Sequence, residues 1–244
     1  LEMLSSYSVF LPSYSVGTDC YREIPYVTRK YGTKAVVIGG KTAMQKAKPE
    51  LETAIRGSKV EIVDYIWYGG DSNYENIEKL KANETVQNAD MLFGVGGGRA
   101  CDTVKTLADM LDKPFFTFPT LASNCAACTA ITVIYNADGS FKEYYYMHGP
   151  AYHTFVNTKI IADSPEKLLW AGIGDALSKE CEVLFASRDK FIYHTPLMGQ
   201  CVAKVCTTPL IEYGAAALEA CRKNEADFAL EQVALCLLYT SDAA

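Results

Sequence analysis

The sequence predicts an α/β protein in which a parallel-sheet domain is followed by a helical one. Three observations predict it. Short apolar, β-branched runs alternate with helical stretches through the first two thirds of the chain. One strand-to-helix turn is a run of three glycines. No convincing strand follows Ser164. Continuous apolar strands alternating with helices are the pattern of a parallel sheet covered on both faces.

The elements follow in order. Lys34–Gly40 (KAVVIGG) is a buried strand, and Lys41–Gly57 a helix that stops at Gly57. Val60–Trp67 is a second strand and Asp71–Asn88 a polar amphipathic helix. Ala89–Val95 is a third strand, Arg99–Leu111 a third helix, and Pro114–Phe118 a fourth strand. Ile131–Asn136 and Ser140–Met147 flank the turn Ala137-Asp138-Gly139 and form a hairpin. Ser164-Pro165-Glu166 starts a helix, with a capping residue and proline at the first helical position. The domain boundary therefore falls near Asp163: residues 1–162 form the α/β domain and residues 163–235 the helical one. Cys236–Ala244 (CLLYTSDAA) is expected to be sequencing-adapter read-through, with the biological chain cut near Leu235. A natural C-terminus of small residues is the alternative. Leu1, which is not Met, suggests a cut start as well.

Composition narrows the partners. A net charge of −6 argues against nucleic acid or an anionic membrane, which need basic patches. No apolar run reaches the roughly 18 residues of a membrane helix, and no secretory signal opens the chain, so the expected location is cytoplasmic. The nine cysteines are scattered and read as reduced thiols rather than a disulfide framework. Cys125 and Cys128 form one C-x-x-C, which is a redox motif, half a zinc site or incidental packing. His148, His153 and His194 share no ligand spacing with one another and read as surface or structural groups.

Three segments carry chemistry. Gly96-Gly97-Gly98 follow an apolar strand and open a helix whose apolar positions are Val104, Leu107, Ala108 and Leu111. Glycines there admit a pyrophosphate to the backbone, and the helix N-terminus adds free N–H groups and partial positive charge. A tight turn without a ligand is the alternative. Asp102 sits in the first helical turn, where the dipole favours a carboxylate, and it could accept from the nicotinamide end of a cofactor. Lys105, one turn on, can pair with Asp102 or reach a phosphate. The second segment, Pro119–Tyr135, gathers Thr120, Ser123, Asn124 and Thr129 at a strand's C-terminal end, where open α/β sheets bind ligands. A packed small-residue loop is the alternative. The third is the helix Glu166–Ser187, with Leu169, Ile173, Leu177, Cys181 and Leu184 as its expected core stripe. Asp175 lies off that stripe, just after Gly172 and Gly174. Two glycines in mid-helix suggest close approach by a ligand or another backbone, and the carboxylate could bind a divalent metal. A solvent-facing Asp is the alternative.

Together GGGRACDTVK (Gly96–Lys105), PTLASNCAACTAITVIYNADGSF (Pro119–Phe141) and AGIGDALSKECE (Ala171–Glu182) resemble the glycerol dehydrogenase branch of the iron-containing alcohol dehydrogenase superfamily. LPSYSVGTD and AVVIGG near the N-terminus resemble it too. The resemblance implies a Rossmann-like dinucleotide-binding domain, an all-helical second domain and an active site in the cleft between them. It implies NAD or NADP, and a divalent metal, zinc or iron, held by one Asp and two His. Asp175 matches the metal-ligating Asp. Gly96, Gly97, Gly98 and Asp102 match the pyrophosphate loop, and Thr120 and Ser123 match the PTxAS segment. Thr129 and Tyr135 lie further along the cofactor wall.

Three departures qualify the resemblance. The two family His would lie downstream, so the metal site is incomplete here and this fragment is expected to be inactive. Cys125 stands where glycerol dehydrogenases carry an Asp that contacts the polyol, which points toward a 2-oxo or 2-hydroxy acid. Gly40 stands where an acidic residue would favour NAD, which leaves NADP open. The expected function is oxidation of a small alcohol or hydroxy acid by a homo-oligomer. A sugar-phosphate cyclase of the dehydroquinate synthase type shares the fold, but its metal ligand is Glu and its site is basic. A nucleotide-binding protein without turnover is the third reading.

Overall fold

A computed structural model describes residues 10–240. The N-terminal part is a six-stranded, wholly parallel sheet in the order β1-β8-β5-β4-β2-β3. Its strands are β1 (Tyr14–Gly17), β2 (Lys34–Gly39), β3 (Glu61–Trp67), β4 (Met91–Gly96), β5 (Phe115–Pro119) and β8 (His153–Asn157). The central strands β2, β4 and β5 are buried almost end to end, as their unbroken apolar runs require. On one face, α1 (Ile24–Thr28) and α2 (Lys41–Ile55) cover Val37, Phe93, Phe116, Phe118 and Phe155. On the other, α3 (Tyr74–Lys81), α4 (Glu84–Asn88) and α5 (Gly98–Met110) cover Val36, Ile38, Leu92 and Phe115.

The strands β6 (Ile131–Tyr135) and β7 (Phe141–Tyr146) form the expected antiparallel hairpin, and polar groups stitch it to α5. Asp102 Oδ2 accepts from Val133 N (3.2 Å) and Lys105 Nζ donates to Ile131 O (2.8 Å). Thr106 and Thr132 share a hydroxyl bond at 2.8 Å, and Tyr145 donates to Asp109 at 2.7 Å. Residues 102, 105, 106 and 109 fall on one helical face, so α5 carries an apolar face to the sheet and a polar one to the hairpin.

A short helix α6 (Thr158–Ala162) leads into three longer ones: α7 (Glu166–Ser187), α8 (His194–Arg222) and α9 (Phe228–Leu235). Their core is continuous with the sheet domain, since Ala122, Ala127, Cys128 and Val156 pack in the same cluster as Leu169, Leu210, Leu230 and Val233.

Several expectations are corrected. The strands β1 and β8 were not anticipated, and His153, read from the sequence as a surface or structural group, lies within β8 with Nε2 2.8 Å from Ser15 Oγ. The single helix expected over Asp71–Asn88 is two, because the Asn83 side chain accepts from Thr85 N and Val86 N and starts a second helix. Pro165 caps α7 instead of occupying its first turn. The buried stripe of α7 is Leu169, Gly172 and Ala176, while Cys181 and Leu184 are exposed. Of the segment expected to be foreign, Leu237 and Leu238 are buried, as an apolar run of any origin would be, and residues 241–244 lie outside the described residues.

Candidate dinucleotide site

The turn from β4 into α5 sits at the C-terminal edge of the sheet, and Gly96 has φ +149°, a backbone conformation that side chains rarely adopt. A Cβ on Gly96 would also come within 2.9 Å of Ala100 Cβ. Cβ atoms on Gly97 and Gly98 would press on Leu121 (3.2 Å) and Asn124 (3.0 Å). The β5–β6 loop therefore lies directly over the glycines. No side chain caps the N-terminus of α5, whose N-cap residue is Gly97. This is a bare backbone cradle with the positive end of a 13-residue helix behind it.

A cavity of about 650 Å³ opens on that cradle. Of the residues singled out in the sequence, Gly97, Gly98, Asp102, Ser123, Asn124, Cys125, Thr129 and Tyr135 line it. Sequence reasoning missed Tyr68, Arg99 and Leu168. The Arg99 guanidinium lies 4.9 Å from the Tyr135 ring centroid and 3.4 Å from Asp71 Oδ1. The Arg in GGGR was the available signal for it. Leu168 comes from α7, so the helical domain closes one side.

Other candidates do not line the cavity. Gly96 makes its turn, and Thr120 N donates to Gly96 O at 3.2 Å, tying the second loop to the first. Gly40 caps α2 and its N–H donates to Val95 O, beside the same turn. Lys105 does not extend toward a phosphate: it is fully buried, with Nζ donating to Ala126 O (2.6 Å), Thr129 Oγ1 (2.8 Å) and Ile131 O (2.8 Å). The Thr129 hydroxyl is committed to that lysine and to Ile131 O. Asp102 is 6% exposed, and burial pushes its carboxyl upward against the pull of Lys105 and of the Val133 N–H.

Asp175 is exposed on α7, one turn beyond Gly172, and Lys179 Nζ lies 3.5 Å from its Oδ1. Among the described residues no three His, Cys, Asp or Glu side chains cluster as a metal site. The C-x-x-C does not supply one: Cys125 faces the cavity, while Cys128 is buried with Sγ 3.6 Å from Thr154 Oγ1. No helix among the described residues is long and apolar enough to cross a membrane.

A glycine cradle at a parallel sheet's C-terminal edge, walled by a helical domain, defines a dinucleotide-binding architecture of the α/β class. The chain belongs to the iron-containing alcohol dehydrogenase family, whose sequence model matches residues 12–156. It is 30% identical over 226 residues to a glycerol dehydrogenase of Escherichia coli, covering 90% of this chain and 61% of that protein. It is 34% identical over 161 residues to hydroxycarboxylate dehydrogenase A of Escherichia coli, covering 65% of this chain and 43% of that protein. The crystal structure of glycerol dehydrogenase from Schizosaccharomyces pombe shares the fold, with a TM-score of 0.84 at 24% identity over 98% of this chain and 62% of that one. The chain thus spans less than two thirds of the length of these relatives.

Proposed function

We propose that this chain is the cofactor-binding part of an NAD(P)-dependent, metal-dependent oxidoreductase that interconverts a small alcohol and its carbonyl. The observation that carries the reading is the bare glycine turn opening on the cavity between α5 and the helical domain. When bound there, the dinucleotide accepts or delivers a hydride at its nicotinamide ring. Gly97 and Gly98 let its pyrophosphate approach the backbone, and the N–H groups opening α5 offset its charge. Leu121 and Leu168 shed water from the cavity, and Asp102 presents a carboxylate at its wall.

The substrate would be a glycerol-like polyol or a 2-hydroxy acid. Cys125 lines the cavity with a thiol in place of a carboxylate. An uncharged group there tolerates a substrate carboxylate that an Asp would repel, which favours the hydroxy acid. Asp175 is the ligand this chain offers a divalent metal, zinc or iron. The described residues do not complete a metal centre alone.

Titration of NADH and NADPH fluorescence tests the reading. The chain should bind at least one of them, and Gly97→Val should weaken binding at least about ten-fold by placing carbon where the phosphates approach. Unchanged affinity in that variant overturns the role of the turn.

A further inference from the structure

We propose that Lys105 is a positioning residue: its buried ammonium sets the spacing between α5 and the loop that walls the cavity, and holds Asp102 toward the ligand without itself touching it. The proposal rests on the reading of this cavity as a dinucleotide site.

A lysine with no exposed surface is rare, because a buried charge is costly unless it is fully paired. The Lys105 Nζ meets four oxygens: Ala126 O at 2.6 Å, Thr129 Oγ1 and Ile131 O at 2.8 Å each, and Thr129 O at 3.1 Å. All belong to residues 126–131, which run through the cavity's far wall, so one side chain on α5 holds the whole turn. An ammonium has three protons. Asp102 Oδ1, at 3.2 Å, is therefore an ion-pair partner without an aligned hydrogen bond. Its other oxygen, Oδ2, takes the Val133 N–H. The carboxylate is thus oriented by its neighbours, in a residue that lines the cavity.

The groups facing Asp102 are few. Arg99, Cys101 and Lys105 share its helix, while Tyr68, Cys125 and Tyr135 face the cavity from beyond β3, from the β5–β6 loop and from β6. Arg99 is engaged by Asp71, which leaves Lys105 as the cation that draws the Asp102 carboxyl down against its burial.

Lys105→Met keeps the length and removes every donor. The expected result is NADH affinity lower by about ten-fold or more and faster amide hydrogen exchange across residues 124–131. The affinity should also weaken as pH falls, because burial raises the Asp102 carboxyl and the lysine that lowers it is gone. The double variant Lys105→Met/Asp102→Asn should bind weakly with no such pH dependence. Affinity within about two-fold of the parent, or a loss equal at every pH, overturns the proposal. If the Met variant does not fold, Thr129→Val removes one of the four acceptors. Faster exchange in 124–131 with weaker NADH binding then supports the proposal, and no change in either overturns it. Failure of the parent chain to bind NADH or NADPH would overturn the cofactor reading instead. Lys105 would then be judged by exchange alone, with unchanged protection in Lys105→Met as the negative result.

Discussion

Gly172 on α7 stands against Ser123 on the β5–β6 loop so closely that a Cβ on the glycine would lie 2.8 Å from Ser123 Cα and 2.7 Å from Ala122 O. That contact joins the helical domain to the loop over the glycine cradle. Gly174, two residues on, has nothing within 4 Å of where its Cβ would be. The two glycines of AGIGDA therefore have opposite roles. Gly172→Ala should destabilise the protein by about 1–3 kcal/mol, because backbone cannot give way as a flexible side chain can. Gly174→Ala should stabilise it by about 0.5–1 kcal/mol by removing unfolded-state freedom. Thermal melts of the two variants check the pair, and Gly172→Ala should also weaken NADH binding.

Gly40 has φ −71°, and a Cβ there would make ordinary contacts of 3.7 and 3.9 Å with Ala43 and Tyr68. Neither packing nor backbone conformation demands glycine. Gly40→Asp should therefore fold normally and shift preference toward NADH, since a carboxylate accepts from ribose hydroxyls and repels a 2′-phosphate. Parallel NADH and NADPH titrations measure the ratio. A ratio unchanged by the substitution would place the adenosine ribose elsewhere.

Asp90 Oδ2 accepts from Thr33 N and Lys34 N at 2.8 Å each, joining the starts of β2 and β4. These two backbone donors hold the Asp90 carboxyl below its ordinary range. A depressed carboxyl contributes stability above its unfolded pKa of about 3.9, and that contribution is lost as pH falls through the folded value. Asp90→Ala should cost about 1 kcal/mol at neutral pH, a figure discounted for the exposure of this residue. The difference should shrink below roughly pH 4. Urea unfolding at neutral and acidic pH tests this, and a gap that widens in acid would contradict it.

Asp175 carries little of the fold. Its partner Lys179 also pairs with Glu182 at 2.9 Å, and all three side chains meet solvent. Asp175→Asn should shift stability by less than about 0.5 kcal/mol. In protein that carries the remaining ligands, it should lower bound zinc or iron, measured by elemental analysis, together with activity. Full metal content in that variant would remove Asp175 from the metal site.

Much of the fold was legible because its signals are local. KAVVIGG, ADMLFGV and PFFTF are continuous apolar runs apart from Lys34, Asp90 and Thr117, and the glycine run marks its own turn. The strand HTFVN was missed because five residues between a hairpin and a short helix offer too little pattern. The internal break at Asn83 was overlooked although Asn-Glu is itself a helix-start signal. Arg99 went unassigned because its role depends on Tyr135 and Asp71, which are distant in sequence.

By itself, the sequence determined the class of the sheet, the glycine cradle, the hairpin and the change to helices near Asp163. These depend on periodicity and on residues within a few positions of one another. Tertiary structure alone decided that Lys105 turns inward to residues 126–131, that Gly172 rather than Gly174 is the tight contact, and that α7 buries Leu169, Gly172 and Ala176. The physical reason is shared: a charge or a Cβ gains or loses according to what faces it across the fold, and helical spacing does not reveal that partner.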